Sequence, residues 1–197
     1  LLPAEDLFKR ALVLDPVNPD TLDQYSPLLA AICRFKEAAA MREQLRALEP
    51  LSPTFNSITA RILWADGQTD AAIAVANGLP SDFALRGPAL AKFYASEGRY
   101  SEAADALMAS PFLGNGAPTQ GAYEAAMRLL RAAPAKSASP QILPDLGRLG
   151  FVYLYAGAPE RALEFAERNV QAGYLAQTNI AELWHSSYAP ARKTERF

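Results

Sequence analysis

Cysteine and histidine are all but missing: Cys33 and His185 are the only ones in 197 residues. A single cysteine closes no intrachain disulfide and builds no cysteine-based zinc site, and a histidine-rich metal site lacks its ligands. The two stand 152 positions apart, so a nucleophilic thiol with an adjacent imidazole base has no local support. A net charge of −2 gives no basic footprint for nucleic acid. No apolar run approaches the roughly 18 residues that cross a bilayer, and no signal-peptide pattern opens the chain. The P-loop, G-x-S-x-G, H-E-x-x-H and EF-hand patterns are all absent. "GNGAPTQG" at 114–121 has glycines but no preceding strand and no lysine for phosphate, so it reads as a loop. The acid pairs Glu5/Asp6 and Glu160/Glu164 lie near arginines and read as solvated helix faces. The segment is expected to be neither an enzyme nor a holder of any cofactor or metal.

What is present is globular: half the residues are hydrophobic and a fifth are charged. The length suits one domain or one extended array. The prolines and glycines carry a period. Pro16 and Pro50 are separated by 34, as are Pro19 and Pro53, and Ala4, Ala38 and Ala72 fall at the same interval. Gly67 and Gly98 recur after 31, and Gly157 follows 59 later, one unit plus an insertion. Within a unit, Phe55, Ile58, Ile62 and Leu63 have helical spacing, Gly67 breaks the run, and "DAAIAVANGL" starts a second helix. A lone helix pair cannot bury both apolar faces, so the pairs must stack.

The pattern resembles the tetratricopeptide repeat, W-x2-L-G-x2-Y, then A-x3-F, then P. Leu146, Leu149, Gly150 and Tyr153 follow its first half, with Leu in place of Trp; Ala162 and Ala166 follow its second half, with Ala in place of Phe. Ala4, Phe8 and Pro16 complete a second half near the start. Cys33 stands where the turn glycine is usual, and Arg42 where an aromatic is usual. The resemblance implies an all-α fold, a right-handed α-α superhelix built as a solenoid of antiparallel helix pairs. Repeats are expected at 1–18 (partial), 19–52, 53–81, 82–110 and 143–172, with an irregular insertion at 110–144 and a capping tail at 174–197, all in one domain. The stretch 146–169 reads as two amphipathic helices. Gly150, Ala162 and Ala166 are expected where helices approach closely. The insertion holds one helix, about 120–133, with Met127, Leu129 and Leu130 as its apolar members. Cys33 is expected as a small packed residue, with a redox thiol as the alternative, and His185 as a helix-terminal or packing residue. Starting at Leu1, the chain reads as a piece of a longer protein.

Arrays of this family hold partners on the concave face formed by the first helix of each pair. In this register Asp20, Asp23, Ser57, Arg61, Trp64, Lys92, Phe151 and Tyr155 point inward, a mixture suited to an extended peptide or a helix. Trp64 and Tyr155 have core packing as the competing role; for Arg61 and Lys92 it is bare solvation. The Lys and Asn cluster that grips C-terminal carboxylates in chaperone-binding members is not visible. The tail "ELWHSSYAPARKTERF" resembles the close of the repeat domain in bacterial signalling proteins with adenylate-cyclase-like or winged-helix output domains. Trp184, Tyr188, Pro190, Arg192, Lys193, Arg196 and Phe197 stand in that pattern. The tail is read as a cap in which Trp184 and Tyr188 cover the end of the core.

The expected role is a non-catalytic interaction or scaffold module, the regulatory or sensor part of a bacterial signalling protein. Its partner is a protein or peptide, an upstream output domain of the same protein being one case; pairing with a second copy stays open. The alternatives are an assembly scaffold for a multi-subunit enzyme or envelope complex, and a small-molecule sensor with a pocket beside 110–144. Cytoplasmic location is favoured; an upstream signal or span would make it periplasmic.

Overall fold

A computed structural model of the chain describes residues 2–110, 119–135, 140–174 and 177–197. It is all-helical, with no strand among the described residues. Helices α1 (Leu2–Leu14), α2 (Pro19–Ala31), α3 (Phe35–Leu48), α4 (Pro53–Ala65), α5 (Thr69–Asn77), α6 (Arg86–Ser96), α7 (Tyr100–Met108) and α8 (Gln120–Arg131) come first. Consecutive helices pack as pairs, α2 on α3, α4 on α5 and α6 on α7, and the first helices α2, α4 and α6 also touch in series.

Periodic residues make the boundaries. Asn18 and Ser52, each followed by a proline at the first helical position, cap α2 and α4: the Asn18 side chain accepts from the Thr21 amide at 2.9 Å, and Ser52 from the Phe55 amide at 3.4 Å. Inside each pair the turn needs one left-handed residue. Cys33 (φ 63°), Gly67 (83°), Gly98 (73°) and Gly157 (75°) supply it. In each case the following amide donates to the carbonyl five residues back, as in Arg34 to Leu29, Gln68 to Leu63 and Arg99 to Tyr94. The thiol at Cys33 is exposed, not packed as the sequence suggested, because the position serves the backbone turn. Its Cβ costs about 1–2 kcal/mol in this conformation. Cys33→Gly is therefore expected to raise stability by about 1 kcal/mol in urea unfolding; a destabilised variant would refute the turn assignment.

The close approach lies elsewhere than at Gly150. A Cβ on Gly150 would meet only Tyr153 at 3.7 Å and the Ala162 carbonyl at 3.9 Å, ordinary contact. A Cβ on Gly87, in α6, would stand 1.6 Å from Ser110 Oγ and 2.6 Å from the Ala106 carbonyl, which is backbone of α7. Alanine normally stabilises a helix interior relative to glycine by about 1 kcal/mol. At Gly87 the sign is expected to reverse, with Gly87→Ala losing about 1–3 kcal/mol because α6 and α7 must separate. Gly150→Ala is expected to lie within about 0.5 kcal/mol of the parent in the same denaturation series.

The stretch 146–169 departs from two α-helices. Gly147–Leu154 and Pro159–Leu163 are 3-10 helices, and α9 (Glu164–Gln171) is regular. Tyr153 stitches the first of these to its lead-in, accepting from the Leu146 amide at 3.0 Å and donating to the Pro144 carbonyl. The insertion helix is α8, with Leu130 fully buried; it packs on α7 and on Gly147–Leu154 and so does not stand alone. Residues 114–118 of the glycine-rich loop lie outside the described residues.

Candidate functional site

After α9 the chain forms α10 (Gln177–Glu182), a 3-10 turn (Ser186–Tyr188) and α11 (Ala189–Arg192). α10 packs against α2 and α4, and α11 against Pro159–Leu163. Tyr188 and Ala191 are buried against the last pair, but Ala181, Glu182 and His185 are buried along the first helices. The segment thus does more than close the end of the core. Trp184, expected to cover that end, is 43% exposed; its indole N–H donates to the Ala31 carbonyl at 3.2 Å.

At the centre of this contact is a carboxylate between two cations. Glu182 Oε1 accepts from Arg61 Nε at 2.6 Å and Oε2 from Lys92 Nζ at 2.5 Å, while Arg61 Nη2 donates to Asn179 Oδ1 at 2.5 Å. The Glu182 side chain is 6% exposed. Burial alone would raise its carboxyl; Arg61 and Lys92 outweigh that and hold it down at about 2. Burial pushes the Lys92 ammonium down, with Glu182 opposing. Lys92 also lies over the Trp64 ring at 5.7 Å and the Phe151 ring at 5.8 Å. His185 stacks on Trp64 with ring centroids 4.0 Å apart, its Nδ1 toward Ser187.

Of the inward-facing residues read from the sequence, Arg61, Trp64, Lys92 and Phe151 come together here. Trp64 is core as well, fully buried, donating to Ser96 Oγ at 2.9 Å and stacked on Phe93. The other four lie apart. Asp20 is exposed in the first turn of α2. Asp23 is buried against Arg42, 2.6 Å away. Ser57 is buried with Oγ unpartnered among the described residues, and Tyr155 is half-buried beside Tyr100. Glu182, Asn179 and His185 were missed as contact residues. The available signal was one acid ahead of "LWHSS" in a tail otherwise dominated by basic residues.

Burial pushes the His185 imidazole down to about 4, against the pull of Glu182. The folded chain therefore refuses a proton that the unfolded chain accepts below its ordinary value of 6.5. The stabilisation is full above pH 6.5 and is lost as pH falls toward 4, by up to about 3 kcal/mol. Glu182 extends the loss below 4.5. Melting temperature is expected to fall steadily from neutral pH to pH 4, and His185→Gln is expected to flatten the upper part of that fall. A flat parent profile there would contradict the burial.

No group of three or more His, Cys, Asp and Glu side chains placed to hold a metal occurs among the described residues. No described helix is long and apolar enough to cross a membrane. Comparison of the chain with family models, with curated proteins and with solved structures returned no match.

Proposed function

We propose that this chain is a tetratricopeptide-like solenoid, a right-handed superhelix whose first helices form a receiving groove, and that it works as a non-catalytic interaction and scaffold module. The observation that supports this reading is α10 seated against α2 and α4, with Glu182 held by Arg61 and Lys92. The array already receives a short helix on the face that such a module would offer a partner. A helix with one carboxylate near its end and apolar residues beside it is the matching chemistry. The resemblance of the tail to bacterial signalling proteins makes the regulatory or sensor part of such a protein the reading of its wider role.

The test uses a protease site inserted after Tyr174. Once the chain is cut, a fluorescent peptide of residues 177–197 is expected to exchange into the groove, and a Glu182→Lys peptide to compete at least tenfold less well. A cut chain with no affinity for the parent peptide, or with equal affinity for both peptides, would sink the reading.

A further inference from the structure

We propose that a cavity of about 320 Å3 between α6, Gly147–Leu154, α9 and α10 binds a small organic acid, one carboxylate on an aryl or aliphatic body. The charged side chains lining it are Arg61, Lys92, Arg148 and Glu182, three cations against one carboxylate. Between low-dielectric walls such an excess attracts an anion. The donors to receive one are in place. Lys92 gives one N–H to Glu182 and has two more, and Arg61 uses Nε and Nη2, leaving Nη1 without an acceptor among the described residues. Arg148, exposed at the rim, makes no hydrogen bond or ion pair among the described residues.

The apolar lining sets the rest of the ligand. Leu85, Phe93, Phe151 and Phe165 contribute to it. A multiply charged phosphate would lose hydration against these side chains without regaining it, whereas a phenyl ring or short alkyl chain gains by burial. The volume falls at the small end of ligand sites, about 300–1,000 Å3. A carboxylate there would bridge the first-helix cations to Arg148 and fasten α10 in place.

Calorimetric titration of the 197-residue chain with benzoate, benzamide and sodium chloride tests this directly. Benzoate is expected to bind at least tenfold more tightly than its neutral amide and than chloride. Arg148→Ala, at an exposed side chain with no hydrogen bond or ion pair to lose among the described residues, is expected to weaken benzoate severalfold while leaving the melting temperature unchanged. Lys92→Met, checked for helicity by circular dichroism, is expected to abolish binding. No heat with benzoate at millimolar concentration, benzoate no better than benzamide or chloride, or benzoate binding unchanged in Arg148→Ala would each overturn the proposal. The result does not depend on whether a helix exchanges on the first-helix face.

Discussion

Glu182→Gln is expected to destabilise the fold by about 3–5 kcal/mol, because it leaves two partly buried cations with no carboxylate between them. Arg61 is 22% exposed and Lys92 15%, so neither reaches water freely enough to recover its hydration. The amide would still accept one hydrogen bond but would present N–H to a second donor. Removing all three charges is a different matter. Arg61→Met/Lys92→Met/Glu182→Met leaves no charge behind and is expected to lie within about 1–2 kcal/mol of the parent. Urea denaturation of both variants separates the penalty of an unpaired charge from the worth of the contact. Equal losses in the two would mean that the ion triad itself holds α10.

Arg42→Met carries a comparable cost for a parallel reason. Arg42 is 1% exposed and donates to Asp23 Oδ1 at 2.6 Å, to Thr59 Oγ1 at 3.2 Å and to the Phe55 carbonyl at 3.2 Å. One side chain of α3 thereby ties α2 to α4. Burial pushes Asp23 up against the pull of Arg42, and pushes the Arg42 guanidinium down to about 10. Without the guanidinium, Asp23 is left buried with no counter-charge and only the Gln24 amide at 3.2 Å, a loss of about 3–5 kcal/mol in chemical denaturation. Asp23→Leu added to Arg42→Met is expected to recover most of it, since methionine then fills the place where the repeat pattern has an aromatic. Failure of the double variant to recover would mean that the hydrogen bonds to Thr59 and Phe55 dominate.

The helix pairs were legible because their boundaries are local. Asn18–Pro19 and Ser52–Pro53 cap and start helices, and Gly67 and Gly98 turn them, whatever the remainder of the chain does. Cys33 was legible as a turn position by register alone, although its exposure was not. Gly87 could not be recognised, since its need for a bare Cα is created by Ala106 on the next helix and Ser110 just past its end. The 3-10 geometry of Gly147–Leu154 was hidden for another reason: apolar spacing of this kind serves a 3-10 and an α-helix almost equally over two turns. Half of the site could be read. Inward position drew out Arg61, Trp64, Lys92 and Phe151, but Glu182 joins Arg61 across 121 positions and Lys92 across 90. A repeat pattern describes neighbours, and this contact is between strangers in sequence.

That separation has a consequence for how the molecule comes apart. In an array where each pair touches only the next, ends fray independently and stability is close to a sum of local terms. Here α10 lies on α2, and Trp184 reaches the Ala31 carbonyl across 153 positions. A staple between late and early elements makes opening at one end a cost borne by both. Amide exchange in α2 and α10 should then proceed with one common free energy, as in a closed ring where neither end is free to peel first.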